Sequence, residues 1–378
     1  MKILVLNSGS SSLKYRLFDD PSSAAASGDA PATLAKGLIE RIGEPNGDAA
    51  DHTEALQGVM ESVDLSGLGA VGHRVVHGGP LFSAATIIDD DLVAAVESLV
   101  PLAPLHNPAA LSGIAVARKL LPNVPQVAVF DTAFHQTIPQ AGVSYAIDAG
   151  LAQRWQIRRY GFHGTSHAYV ARRTATLLGL PPDEANVITL HLGNGASATA
   201  VEGGRSVATS MGMSPLPGLV MGTRSGDIDP TVIFHLHRVA GLPLDEIETS
   251  LTRHGGLQGL SGDNDMRTVQ RRHAEGDPAA TLAFEVYCRR IKEYVGSYLA
   301  ILGRTDAITF TAGVGENSPA VRAASLAGMS ALGIEIDPVR NEQGDTLISP
   351  DGARVAVCVV PTDEELEIAQ QTRGALGG

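Results

Sequence analysis

Glycine and serine turns that follow short apolar runs, arginines in apolar or glycine-rich company, and a histidine just ahead of a helix start are the residues of this chain equipped to handle a small anion. The segment MKILVLNSGSSSLK sets an apolar run, Ile3 to Leu6, directly before Asn7, Gly9, the serines Ser10 to Ser12 and Lys14. Gly9 allows backbone N–H groups to approach an anion closely, the hydroxyls of Ser10 and Ser12 add donors, and Lys14 supplies a point charge. Polyphosphate suits such a turn, although an ordinary hairpin turn draws on the same residue types. No Gly-Lys-Ser/Thr follows a glycine at P-loop separation, so phosphate wrapping around a helix start in that style is not expected.

In His73-Arg74-Val75-Val76-His77-Gly78-Gly79 a strand would put Arg74 and Val76 on one face and His73, Val75 and His77 on the other. A guanidinium beside an apolar wall suits a small carboxylate with a short alkyl tail: the planar fork pairs both oxygens while the valine covers the methyl. A plain sheet arginine would show the same pattern. Arg224 lies in the glycine-flanked stretch MGTRSGDIDP, residues 221 to 230, where a cation is presented unless Asp227 or Asp229 pairs with it. His163 precedes a predicted helix start, where the dipole and N–H groups favour anions, and it could donate to a phosphoryl oxygen or simply pack and cap. The pairs His73/His77 and His163/His167 lack a His-Glu-x-x-His motif and a cysteine partner, which speaks against zinc. No Gly-x-Ser-x-Gly elbow supports a serine hydrolase. In ITFTAGVGEN, residues 308 to 317, Gly313 and Gly315 could bring bare backbone against a flat ring, with Glu316 and Asn317 as polar contacts.

Strands and helices must hold these groups in place. Val124 to Phe130 reads as a strand entering Asp131-Thr132, and Val187 to Leu190 as one entering the turn HLGNG, residues 191 to 195. The second strand and turn echo the N-terminal ones, which suggests a duplicated α/β unit whose two turns face each other across a cleft. Thr165 or Ser166 is expected to cap a helix running to about Leu178 and stopped by Gly179, and Asn317-Ser318-Pro319 reads as a cap with proline in the first turn. The last helix is expected to start at Thr362-Asp363-Glu364-Glu365, after a strand from Val355 to Val360, with Thr362 and Glu365 at capping-box spacing. The segment from Asp19 to Ala35, rich in Pro, Ser, Ala, Gly and Asp, reads as a connection.

With 378 residues, and a prior of about 150 residues per domain, two domains are expected. A net charge of -13 argues against nucleic acid and anionic membranes as partners, so an anionic ligand must be held by local arginines. Cys288 and Cys358 sit in apolar or helical surroundings and read as reduced core residues. The apolar runs are too short for a signal peptide or a membrane span, and a soluble cytoplasmic protein is expected.

Together NSGSSSLK (7–14), HRVVHGG (73–79), LAPLHNP (102–108), FDTAFH (130–135), YGFHGTSH (160–167), HLGNG (191–195), MGTRSGDIDP (221–230), FTAGVGEN (310–317) and PTDEEL (361–366) resemble the acetate kinases, in family order along the whole chain. The resemblance implies the duplicated fold of actin-like ATPases and sugar kinases, with two domains around a central cleft. It divides the chain into an acyl-side domain, residues 1–130 completed by a C-terminal helix at about 366–378, and a nucleotide-binding domain, 131–365. It implies a homodimer that transfers the γ-phosphoryl group of ATP to acetate, giving ADP and acetyl phosphate, with Mg²⁺ or in its place Mn²⁺. Asn7 and Glu364 fall at the metal, and Arg74 on the acyl carboxylate. Val76, Leu105, Phe162 and Pro215 line the pocket for the methyl group. His163 and Arg224 fall where the transferring phosphoryl is stabilised, and Asp131 where the family has an active-site acid. Nucleotide contacts fall on Lys14, on His191, Leu192, Gly193, Asn194 and Gly195, on Asp265, Met266 and Arg267, and on Gly313, Val314, Gly315, Glu316 and Asn317.

A carboxylate with a reference pKa of about 4 needs no base to attack, so direct in-line transfer by positioning and charge stabilisation is expected, with Asp131 orienting an arginine or a metal-bound water. A propionate or butyrate kinase, and a non-metabolic actin-fold ATPase, are the alternatives. Arg74 beside Val76 favours the small-carboxylate reading.

Overall fold

The computed structural model describes residues 1–9, 11–19, 31–104 and 106–377. The chain divides into two compact units. One comprises Met1–Gln136, Gly164–Ser166 and Asp363–Gly378, and the other Thr137–His163 and His167–Thr362.

The first unit carries strands β1 (Lys2–Ser8), β2 (Leu13–Asp19), β3 (Thr33–Ile39), β4 (Leu68–Val75), β5 (Thr86–Ile87) and β6 (Gln126–Phe130) in the order β3-β2-β1-β4-β6-β5. β1, β2 and β3 form an antiparallel meander, and β4 and β6 add in parallel on the other side of β1. Period-two geometry sorts the side chains. Leu4, Leu6 and Val71 face a core with Leu56 and Val59 of the helix His52–Ser62 and with Ala117. The opposite face receives the C-terminal helix Glu364–Ala375, and there Gly72 permits the approach: a Cβ would stand 2.3 Å from Thr372 Oγ1 and 3.0 Å from Ile368. Every residue of β6 is buried, as expected for a strand covered on both faces.

The second unit repeats this topology. Its strands are β7 (Asn186–Leu192), β8 (Ala196–Glu202), β9 (Arg205–Thr209), β10 (Ala307–Thr311) and β11 (Ala356–Val359), in the order β11-β10-β7-β8-β9. β7, β8 and β9 form the antiparallel meander, and β10 and β11 are parallel to β7. Two α/β units of one topology make up the duplication that the echoing turns suggested and the actin-like fold that the family resemblance implied. The helix Pro278–Leu302 lies against β7 and β8 with a buried stripe that includes Phe284, Tyr287, Ile291, Val295 and Tyr298. Among the residues packed on the other side are Val170, Ala175, Val187, Ala307 and Cys358. Both cysteines are unbonded and buried, which pushes each thiol up to about 12.

Local expectations were met where one residue type decides. Ser318 caps the helix Pro319–Leu326 by accepting from Val321 N at 3.2 Å, with proline in the first turn. Gly179 takes φ +68° at the stop of the helix Gly164–Leu177. Two caps differ. That helix starts two to three residues early, from His163 in a left-handed conformation (φ 57°), and not from Thr165 or Ser166. The last helix is capped by Asp363, which accepts from Leu366 N at 3.0 Å, so the Thr362–Glu365 capping box does not form. An aspartate one residue later offers the same acceptor without a box partner. β3 also enters the stretch expected to be connection, while residues 20–30 lie outside the described residues.

Candidate active site

In the first unit the face of β4 that carries Gly72 also carries Arg74, two residues on, while Leu6 pairs with His73 across the parallel β1–β4 register. Asn7 and Arg74 therefore follow on adjacent strands, on the face covered by the C-terminal helix. Val76 continues the alternation past the strand end: Arg74 and Val76 are half-buried, His73, Val75 and His77 buried. Arg74 donates from Nε to Asp131 Oδ1 at 3.0 Å and from Nη2 to Oδ2 at 2.7 Å. Glu364 Oε2, in the first turn of the C-terminal helix, stands 3.7 Å from Nη2. Burial would lower the Arg74 pKa, but Asp131 and Glu364 outweigh it and hold the guanidinium above its ordinary value. Burial raises the Asp131 carboxyl against the opposing pull of Arg74. The side-on Nε/Nη2 edge of the fork is thus engaged, and the end-on Nη1/Nη2 edge is the one a further carboxylate can meet.

Lys14 lies across the β1–β2 hairpin from Asn7 and pairs with Glu365 Oε1 at 2.5 Å, its side chain still 53% exposed. The glycine-serine turn is thus a hairpin connection, closed by Gly9 N donating to Ser12 O at 2.8 Å. Ser10 and Leu105 lie outside the described residues. For a metal, Glu364 and Asn7 offer hard oxygen donors. Among the described residues no group of three or more His, Cys, Asp or Glu side chains could cage an ion. That donor set fits Mg²⁺, which keeps waters and phosphate oxygens and takes few protein carboxylates.

In the second unit His163 and Arg224 flank one glycine. A Cβ on Gly195 would stand 3.7 Å from His163 Cε1 and 3.4 Å from Arg224 Nη1. His163 stacks on His191 with centroids 4.2 Å apart, and its Nδ1 lies 2.9 Å from Ser197 Oγ. Holding a histidine at positive φ costs about 1–3 kcal/mol and marks a place where the surroundings dictate the backbone. Arg224 Nη1 donates to Pro215 O at 3.1 Å, and among the described residues no carboxylate pairs with Arg224. Asp227 takes Gly218 N–H and the Tyr294 hydroxyl instead, and Asp229 takes Thr231 N–H. Burial lowers the Arg224 pKa, an environment in which an anion gains from approaching. Phe162 is buried and Pro215 half-buried.

A cavity of about 660 Å³ in the same unit is lined by Gly193, Asn194, Asp265, Met266, Arg267, Gly313, Val314 and Asn317, all anticipated from sequence, and also by Gly222, Leu257, Asn264, Gln270, Tyr287 and Ser318. This volume and mixed lining suit a nucleoside. Tyr287 and Leu257 are buried and lie in no motif that marks them as cavity-lining. Other anticipated residues stand elsewhere. His191 and Leu192 are buried in β7, and Gly315 packs on the backbone of Phe310 and Leu190. Glu316 Oε1 accepts from Ala312 N at 2.7 Å, Thr311 Oγ1 at 3.3 Å and Thr362 N at 3.2 Å. Its carboxylate braces the left-handed turn at Ala312 (φ 64°), where the sequence suggested a ligand contact. The Asp265 side chain caps the helix Met266–Ala274 and pairs with exposed Arg267 at 2.6 Å.

Residues 2–370 match the model of the acetokinase family. The chain is 55% identical to the acetate kinase of Streptomyces avermitilis, covering 100% of this chain and 98% of that protein. It is 53% identical to the acetate kinase of Clavibacter michiganensis, covering 100% and 99%. Among solved structures it superposes on Porphyromonas gingivalis acetate kinase with a TM-score of 0.92 at 41% identity, and on a propionate kinase from Francisella tularensis with 0.91 at 40%, each over 99% of both chains.

Proposed function

The chain belongs to the acetokinase family, and on that premise we propose that it is an ATP:acetate phosphotransferase that passes the γ-phosphoryl group directly to the acetate carboxylate. The observation that carries the reading is Arg74, half-buried beside Val76 with its side-on edge held by Asp131. The end-on edge then takes the acetate carboxylate, with Val76 on the same face toward its methyl. A carboxylate with a pKa of about 4 attacks without a base, so no proton need pass to Asp131, which serves to fix the fork. The charge that develops on the transferring phosphoryl is met by Arg224, which has no carboxylate counterion among the described residues, and by His163. The nucleotide lies in the cavity beside Gly193, Asn194, Asp265 to Arg267, Gly313, Val314 and Asn317. Glu364 and Asn7 would hold Mg²⁺, which would supply charge neutralisation to the phosphates.

Acetate is favoured as acceptor by curated relatives at 53–55% identity that bear that name. Propionate is the second reading, since a propionate kinase matches in structure as well as an acetate kinase does. We place the enzyme in the cytoplasm as a homodimer. Acid-dependent ADP formation, measured in steady state with acetate, propionate and butyrate, tests the reading. The highest kcat/KM is expected for acetate, and an ADP rate indifferent to any carboxylic acid would point to an actin-fold ATPase.

A further inference from the structure

His163 touches a buried chain of polar side chains that the reaction as described does not use. Ser197, fully buried in β8, has its Oγ 2.9 Å from His163 Nδ1 and 2.7 Å from His167 Nε2. His167, fully buried, sets its other nitrogen, Nδ1, 2.7 Å from Thr189 Oγ1. Thr189 Oγ1 in turn donates to Thr199 O at 3.4 Å.

These contacts constrain one another, because each hydroxyl has a single proton and a neutral imidazole has a single N–H. If neutral His167 bore its proton on Nε2, Nδ1 would have to accept from Thr189, and Thr189 could not donate to Thr199 O. With the proton of neutral His167 on Nδ1 these four contacts are made together: Thr189 donates to Thr199 O, His167 Nδ1 donates to Thr189, Ser197 donates to His167 Nε2, and His163 Nδ1 donates to Ser197.

We propose that Ser197 is a positioning residue, anchored by His167 and Thr189, that fixes the proton of His163 on Nδ1, so that His163 can donate from Nε2 to a phosphoryl oxygen only as an imidazolium. The inference rests on the phosphoryl-stabilising role given to His163. Ser197 then acts through His163 alone, much as the partners of metal-bound histidines fix tautomer and ring orientation, with effects on activity of about 10- to 100-fold on removal.

Two measurements test it. The first is kinetic. Ser197→Ala should lower kcat about 10- to 100-fold with the KM for ATP little changed, and Ser197→Thr, which keeps the hydroxyl, should recover much of the rate. In a His163→Ala background Ser197→Ala should have almost no further effect, because the two residues act as a unit. An impaired His163→Ala enzyme together with a fully active Ser197→Ala enzyme, or additive losses in the double variant, would overturn the proposal. A fully active His163→Ala enzyme would instead overturn the role of His163 itself. The second measurement needs no activity. In protein labelled with ¹⁵N-histidine, at a pH where the ring is neutral, the His163 signal, assigned by its loss in His163→Ala, should show the proton on Nδ1 in the wild type and lose that preference in Ser197→Ala. A wild-type proton on Nε2 would refute the proposal whatever the kinetics.

Discussion

Arg74→Ala strands a buried carboxylate as well as removing a substrate contact, and the two consequences separate by pH. Asp131 is 1% exposed, and its oxygens accept from Arg74 Nε at 3.0 Å and Nη2 at 2.7 Å. Removing one member of such a pair costs on the order of 3–5 kcal/mol when the survivor stays charged. An aspartate can escape that cost by taking up a proton, whereas a guanidinium cannot. Burial already raises the Asp131 carboxyl, and in Arg74→Ala its chief opposing partner is gone. The unfolded chain gives up this proton near about pH 4. Between that point and the raised folded-state value, the native variant holds one proton more than the unfolded chain, so its stability falls as pH rises, by up to about 1.4 kcal/mol per pH unit. Urea-unfolding midpoints against wild type should therefore show a deficit of about 1 kcal/mol at about pH 5, growing to about 3 kcal/mol at about pH 8. Asp131→Asn leaves Arg74 charged throughout and removes the raised carboxyl of the wild type, so its deficit should not grow with pH, and it is eased by Glu364 at 3.7 Å. An Arg74→Ala deficit that stays flat or shrinks between the two conditions would refute the account of Asp131 as a carboxylate kept ionised by its arginine.

Glu364→Ala should raise the Mg²⁺ concentration needed for half-maximal rate far more than Glu365→Ala, whose carboxylate is engaged with Lys14; equal shifts in a Mg²⁺ titration would show that the wrong glutamate was assigned. Arg224→Ala should lower kcat by on the order of 10³ with modest change in either KM, as for an arginine that meets charge only in the transition state. Arg224→Lys should not restore it, since lysine lacks the planar fork, and near-normal kcat at saturating substrates would remove Arg224 from the reaction. Val76→Ala should raise the propionate-to-acetate ratio of kcat/KM by opening the methyl pocket, and an unchanged ratio would mean that Val76 does not face the acid.

What could be read in the sequence was whatever is decided within a few residues. The apolar runs from Ile3, Val127, Val187 and Ile308 became the central strands because continuous burial on both faces needs continuous apolarity. The alternation of Arg74 and Val76 against His73, Val75 and His77 survived because a strand offers only two faces. Pro319 after Ser318 fixed a helix start, while Asp363 displaced Thr362 because acceptors one residue apart are nearly equivalent until the backbone chooses. The rest depended on partners far away in the chain. Lys14 with Glu365, Ser197 with His167, and Glu316 with Thr362 are set by the packing of strands and helices, and no local spacing announces them. Tyr287 sits on the buried stripe of a long helix, where a cavity-lining residue and a core residue have the same periodicity.

The helix Glu364–Ala375 belongs to the first unit although it comes last in the chain, and Ile368, Ala369 and Thr372 are almost fully buried there. A ribosome delivers β1 and β4 long before it delivers the helix that covers one of their faces. Domains usually fold as units in the order of synthesis, but this one lacks its cover until residues beyond Asp363 have emerged, by which time the strands of the second unit are already out. The strands of the first unit must therefore be shielded or remain loose through most of translation. Loss of only the last dozen residues should disturb the beginning of the chain more than its middle, bringing proteolytic cuts within the first 136 residues.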